Sequence, residues 1–534
     1  MKRAVIAASL ATLLASIAAA QHHTAPGTEK PAALLAGLGT WRHPIKTRNP
    51  EAQKFFDQGL TLVYAFNRPE ALRSFRKASE LDPKGPMPFW GMAMALGPYI
   101  NMDLDPDVHL KESCDAVNAG LRVAGGDAIE RAWLEAAGTR CPDFSDPDGY
   151  IRAMRDLAAR QPDDPDAQTF YADALMLPVR WRWYVDGNPV AGVAEAERVL
   201  QAVLRRHPQH PGANHLYIHV VESSPTPERA VPSAQRLMGI TPAAGHMVHM
   251  PGHIWLVLGD FNNTVAVNER AVEADRQYFA QTGVTGSYGM YYLHNLQFLL
   301  YARTMQGRIA DTSQVARQMS DAVKQVAGSM PEMAEIFEAF LTMAQARLLR
   351  WDEVLATRQP TASPVAVAFW RHARALAYVA KKNYDLARGE QAESEKLSKT
   401  LDRNFPWDTN KLGDVLDFAS VVLSARVESS PAKAVPLWRK AVELQDRFVY
   451  GEPPAWYYPV RESLGAALLL SGDAAGAEAV FRDGLRRSPN NGRILFGLLE
   501  TLKAQGKSDA IRWVQREFEA AWKGADLELR VGDL

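Results

Sequence analysis

This chain repeats its most distinctive residues every 34 positions, which commits it to a stacked architecture. The segment His215-Leu-Tyr-Ile-His219-Val-Val-Glu222 is followed by His246-Met-Val-His249-Met-Pro-Gly-His253. Thirty-four residues separate His215 from His249, and also His219 from His253. That period is the length of one helix–turn–helix unit. Such a unit buries its apolar face only against the next copy of itself. Strand-like alternation is nearly absent. Ala, Leu, Glu, Arg and Gln dominate, and Gly and Pro fall where helices end. The expected fold is all-α, a solenoid of antiparallel helix pairs.

Two stretches carry the unit most clearly. Counting Ala52 as position 1, Gly59, Ala71, Phe75, Ala78 and Pro83 occupy positions 8, 20, 24, 27 and 32. Counting from Tyr458, Gly465, Ala477, Phe481, Gly484 and Pro489 occupy the same five positions. Small residues at 8, 20 and 27 let the two helices approach, the aromatic at 24 fills the gap, and the proline ends the pair. Turns at Gly259-Asp260-Phe261, Gly307, Lys382-Asn383-Tyr384 and Gly472-Asp473 extend the pattern. Residues 100–160 and 310–370 read as helical but fit it poorly. Two segments interrupt it, Arg180–Pro189 and Gln281–Ser287, the first rich in aromatic residues.

This pattern resembles the tetratricopeptide repeat (TPR). The chain is similar in particular to a group of secreted bacterial TPR proteins. The resemblance rests on Phe89-Trp-Gly-Met-Ala-Met-Ala-Leu-Gly-Pro98, Asp163-Asp-Pro-Asp-Ala-Gln-Thr169, Ala213-Asn-His-Leu-Tyr-Ile-His219, the stretch Ala244–Ile254, and Trp456-Tyr-Tyr-Pro-Val-Arg461. It implies a TPR-type α-solenoid over most of the chain and attaches no reaction to it. It also implies that positions 2, 5, 9 and 12 of the first helix of each unit line the concave, ligand-binding surface.

The chain divides on this reading into residues 1–20, a signal peptide; 21–50, a flexible leader; 51–160, N-terminal helix pairs; 161–310, the central histidine-rich units; and 311–534, C-terminal helix pairs. Lys2-Arg3, an apolar run to Ala19 and the small residues Ala18-Ala19-Ala20 form an export signal whose cleavage leaves Gln21 first. A periplasmic or secreted protein is expected. No later stretch reaches the roughly 20 apolar residues of a membrane span. Cys114 and Cys141, the two cysteines, form either a disulfide or two buried thiols. Formal charge is −1, with 60 basic and 61 acidic side chains, which argues against a nucleic-acid partner.

His215, His219, His246, His249, His253 and His294 are six of the 13 histidines and fall within 80 residues. Units starting at Pro211, Gly245 and Leu293 place them at positions 5 and 9, then 2, 5 and 9, then 2; Glu222 stands at position 12. Spacings of three, four and seven put each set on one helical face. Adjacent first helices pack about 9 Å apart, so imidazoles from both can meet at a shared ion. The expected cofactor is a divalent transition metal: copper, zinc or iron. His215, His219, His249 and His253 form the expected inner set. His246 and His294 serve a second metal or the substrate, and Glu222 is a ligand or general base. His-x-x-x-His at 215–219 is not a zincin motif, because Leu216 stands where that motif has glutamate.

Three functions fit: a metal-dependent oxidative or hydrolytic enzyme, a metal-binding or trafficking protein without turnover, and a non-catalytic scaffold binding a peptide or envelope protein; the expected ligand of the concave groove is a small molecule or peptide. His43, His109, His207, His210 and His372 are expected to be ordinary core or surface groups. Trp183, Tyr184, Trp255, Trp456 and Tyr457 are candidates for a pocket wall. Met247 and Met250 are expected to pack in the core.

Overall fold

The structure, a computed structural model, describes residues 30–101, 108–123, 125–284, 287–327, 331–407 and 409–534. The export signal and Gln21-His22-His23 lie outside them. The protein is all-α, built from TPR-type helix pairs. Among the described residues the only strands are two short ladders, Tyr184–Val185 with Asn188–Pro189 and Pro406–Trp407 with Asn410–Lys411. The chain forms two compact units, one of Met1–Ile254 and Ala266–Asn295, the other of Trp255–Val265 and Leu296–Leu534.

The first unit begins with the pair Pro50–Tyr64 and Arg68–Leu81. Phe75 locks it. A Cβ on Gly59 would come within 2.7 Å of that ring and one on Gly91 within 2.3 Å, so only glycine lets three helices close on it. The second unit repeats the device in Arg461–Leu470, Ala474–Arg487 and Gly492–Ala504. There Gly465 and Gly497 would meet Phe481 at 2.5 and 2.3 Å. Matching sequence positions thus give matching packing, fully buried in both cases. The poorly patterned region at 100–160 is helical too, as Leu110–Arg122, Ala128–Gly138 and Pro147–Arg160.

The turns inside the pairs share one geometry. Phe66, Gly259, Gly307, Leu349, Lys382, Gly472 and Gly506 all have positive φ, between 55° and 91°. The next residue's N–H reaches back five residues, as Asn67 does to the Leu62 carbonyl and Asp473 to that of Leu468. This is the Schellman ending, whose left-handed residue is most often glycine.

Residues 30–49 carry no helix, yet they are held against the first unit. Leu38 and His43 are buried. The Leu35 N–H donates to Gln58 Oε1 at 2.7 Å and the Ala243 N–H to the Gly37 carbonyl at 3.0 Å. Asp166 is the main anchor. Its carboxylate accepts from Trp41 Nε1 (3.1 Å), His43 Nδ1 (2.9 Å), the Tyr64 hydroxyl (2.6 Å) and His210 Nε2 (3.1 Å). Burial alone would raise its pKa. The hydrogen bonds from His210 and His43 outweigh that and hold it well below the usual carboxylate range.

Cys114 and Cys141 form a disulfide, which resolves the two alternatives left open by their spacing.

Candidate metal centre

The helix Pro211–Glu222 carries His215, His219 and Glu222, and every one of its residues is buried. Its polar side chains must therefore find partners inside the protein. The second histidine stripe is helical but interrupted at Met250. Gly245–His249 ends where Pro251 removes a backbone donor, and Pro251–Val257 continues after Met250. His246 and His249 stand on the first piece and His253 on the second. His294 comes from Gly289–Met305.

The six histidines sort into two triads. One ring nitrogen each of His215, His219 and His246 lies within 4.8 Å of the others, and the same holds for His249, His253 and His294. Either group could hold a metal ion. The triads adjoin, with ring centroids of His219 and His253 at 5.4 Å and those of His246 and His249 at 5.7 Å. The equal-position pairing suggested by the repeat is replaced by shorter contacts. His215 Nε2 stands 3.2 Å from His246 Nε2, and His249 Nε2 stands 2.7 Å from His253 Nε2.

Four imidazoles are oriented through Nδ1. His215 Nδ1 donates to the Tyr64 carbonyl at 2.6 Å, and His249 Nδ1 to Asn268 Oδ1 at 2.6 Å. His219 Nδ1 and His253 Nδ1 donate to the two oxygens of Glu222, at 3.0 and 2.7 Å. A proton fixed on Nδ1 leaves the Nε2 lone pair free to face inward. His219 Nε2 and His246 Nδ1 are buried with no hydrogen-bond partner. Such atoms are costly unless something satisfies them.

The electrostatics keep His215, His219, His246 and His249 neutral. Burial pushes His215 down to about 3, although its bond to the Tyr64 carbonyl works the other way. Burial, reinforced by neighbouring histidines, pushes His219, His246 and His249 well below the ordinary imidazole value. Neutral imidazole is the form that binds metals.

Aromatic rings wall the centre. Phe66 packs against His215 and His246 with centroids at 4.5 and 5.1 Å, and Tyr291 against His246 at 4.7 Å. Trp181 and Trp183, from the aromatic insertion, stand 5.7 and 5.9 Å from His219. The Tyr99 and Tyr291 hydroxyls meet at 2.9 Å. Met247 and Met250 are fully buried, as core packing requires. Trp456 packs with His372 and Phe418 in the second unit.

Sequence reasoning missed Tyr64, Phe66 and Asn268 as parts of this site, and reached Trp181 only as a member of the aromatic insertion Arg180–Pro189. Phe66 left a signal, an aromatic ring in a turn that most often takes glycine. Two histidines expected to be ordinary are buried and work structurally: His43 and His210 both bind Asp166. His43, Asp164 and Asp166 also lie within ligand distance of one another, beside a cavity of about 470 Å³. Their atoms are spent on the fold. Asp166 accepts four donors, and Asp164 caps the helix Pro165–Met176 through the Asp166 and Ala167 N–H groups.

No family model matches the chain, and no curated protein matches it. Among solved structures it is similar to the human IFIT1 dimer with m7Gppp-AAAA, at 11% identity and a TM-score of 0.33, covering 90% of this chain and 92% of that one. It is also similar to yeast Tom70, at 11% identity and a TM-score of 0.30, covering 88% and 90%. At such scores the fold assignment rests on the chain's own helix pairing.

Proposed function

We propose that the chain is an exported metalloprotein whose six histidines hold two transition-metal ions, one per triad, for oxidative chemistry. The observation that carries this reading is the short Nε2–Nε2 contact, 2.7 Å, between His249 and His253, whose Nδ1 atoms are both already committed. Two nitrogens bound to one ion at about 2.0–2.1 Å sit about 3 Å apart. Without an ion between them, unprotonated nitrogens at that distance point lone pairs at each other. The unpartnered His219 Nε2 and His246 Nδ1 supply further donors.

Copper fits best of the three metals. The donor set is neutral, all-nitrogen and deeply buried, and burying charge in such a place is costly. An ion that can drop to a single positive charge lowers that cost. Two coppers so held would supply one-electron chemistry toward dioxygen. The chain's own residues do the rest. Glu222 holds the His219 and His253 rings in place with both its oxygens, so we assign it as a positioning residue rather than a base. That assignment weakens the zinc-hydrolase alternative. The Tyr64 carbonyl and Asn268 fix His215 and His249. The imidazoles of His215, His219, His246, His249 and His253 are 0–2% exposed, which disfavours a histidine-lined peptide groove.

Export is part of the proposal. It is supported by the disulfide, which persists in oxidising compartments, and by the N-terminal signal pattern. No helix among the described residues is long and apolar enough to cross a membrane.

The test is oxygen uptake by copper-loaded protein with ascorbate as the reductant. Uptake above free copper, abolished in H249A/H253A, supports turnover. Bound copper without uptake identifies a storage or transfer protein instead.

A further inference from the structure

Two bulky aromatic residues hold left-handed backbone conformations at this centre. Phe66 has φ 55° and Trp181 has φ 64°. Bulky side chains rarely adopt that region, and such strain concentrates where a site needs a side chain in a set place. Glycine takes the equivalent of the Phe66 slot at 259, 307, 472 and 506, and Leu349 and Lys382 take it in two further turns. At 66 the chain keeps a phenylalanine, and its ring covers the first triad: 4.5 Å from His215, 5.1 Å from His246 and 6.1 Å from His219. Trp181 meets the same His219 edge-on at 5.7 Å and is itself partly exposed. The two triads are thus unequal. His215, His219 and His246 are sealed, whereas His294 of the other triad is partly exposed.

We propose that Phe66 and Trp181 are the specificity-determining residues of the centre. They admit to His215, His219 and His246 only ligands of a few atoms, such as dioxygen or azide, and leave organic molecules to approach from His294. This rests on the reading of the two triads as one metal centre.

The test is acylation of the metal-free full-length protein by diethyl pyrocarbonate, read at each histidine by peptide mapping. In the native chain His294 reacts and the first triad is protected. F66A and W181A speed reaction at His215, His219 and His246 at least about tenfold without changing His294, because protection follows local accessibility. F66L and W181F, which keep the bulk, keep the protection. Buried His210, in the same unit, reports on loss of fold. If it opens in F66A, W181A carries the test. A first triad that reacts as fast in the native chain as in W181A overturns the proposal, and so does one that stays protected in both alanine variants. Copper content of the same samples separates the two ideas. Copper bound with no change in protection overturns the aromatic gate alone, and no copper in the native chain overturns the metal reading.

Discussion

His249 and His253, one helical turn apart, face each other Nε2 to Nε2 at 2.7 Å, while their Nδ1 atoms are held by Asn268 and Glu222. Neither ring can swing away without breaking a buried hydrogen bond. The pair is preorganised: the fold has already met the cost of bringing two ligands together. Pro251 contributes by interrupting the helix between them.

Glu222 gives the first prediction. In E222Q the amide offers one acceptor and one donor where two imidazole N–H groups arrive. One ring must shift its proton to Nε2 and lose its inward lone pair. Metal affinity should fall about 10- to 100-fold, as for other partners that orient metal-binding histidines. Competition titration with a chromophoric chelator measures it. Unchanged affinity with an intact fold would show that Glu222 does not orient the pair.

A pH effect follows from Asp275, which accepts from the Tyr288 hydroxyl at 3.0 Å and from Asn295 Nδ2 at 2.8 Å. Burial pushes its carboxyl up from 3.8 to about 7, against the pull of those two hydrogen bonds. The folded chain therefore keeps a proton that the unfolded chain releases. Between pH 4 and about 7 the folded state binds more protons, so stability falls as pH rises through that window and levels off above it. D275N removes the titration and keeps an acceptor for Tyr288. Its melting temperature relative to the native chain should climb from pH 4 to 7 and then hold. Parallel profiles would contradict this.

The disulfide gives a third. Cys114 and Cys141 close a loop with a sequence separation of 27. Crosslinks of this length contribute about 3 kcal/mol, chiefly by restricting the unfolded chain. C114S/C141S should unfold at lower denaturant concentration by that margin and bind metal as before. An unchanged midpoint would mean that the bridge does not stabilise the fold.

The fold was legible because helix pairing writes itself into the sequence. Gly59 with Phe75 and Gly465 with Phe481 occupy equal positions because each glycine must admit the same ring. The histidines were legible as a group for the same reason. Their grouping was not. Register aligns His215 with His249, whereas side-chain reach joins His215 to His246 and His249 to His253. The Tyr64 carbonyl could not be foreseen either, because it meets His215 across 151 residues and a backbone oxygen has no sequence identity. Asn268 lies 19 residues from His249 and carries no periodic signal. Asp166 sits in the Asp163–Thr169 stretch, but its four donors come from residues 41, 43, 64 and 210, scattered along the chain.

The central claim is tested most directly by counting metals. Mature protein, purified without an affinity tag and reconstituted with copper, would be measured by elemental analysis beside H215A/H246A and H249A/H253A. Two coppers per chain are expected, with each double variant losing its own triad's ion and keeping the other. No tightly bound metal in the native chain, with copper, zinc or iron, would contradict the claim. The short nitrogen contact would then be a proton shared between His249 and a His253 charged beside Glu222.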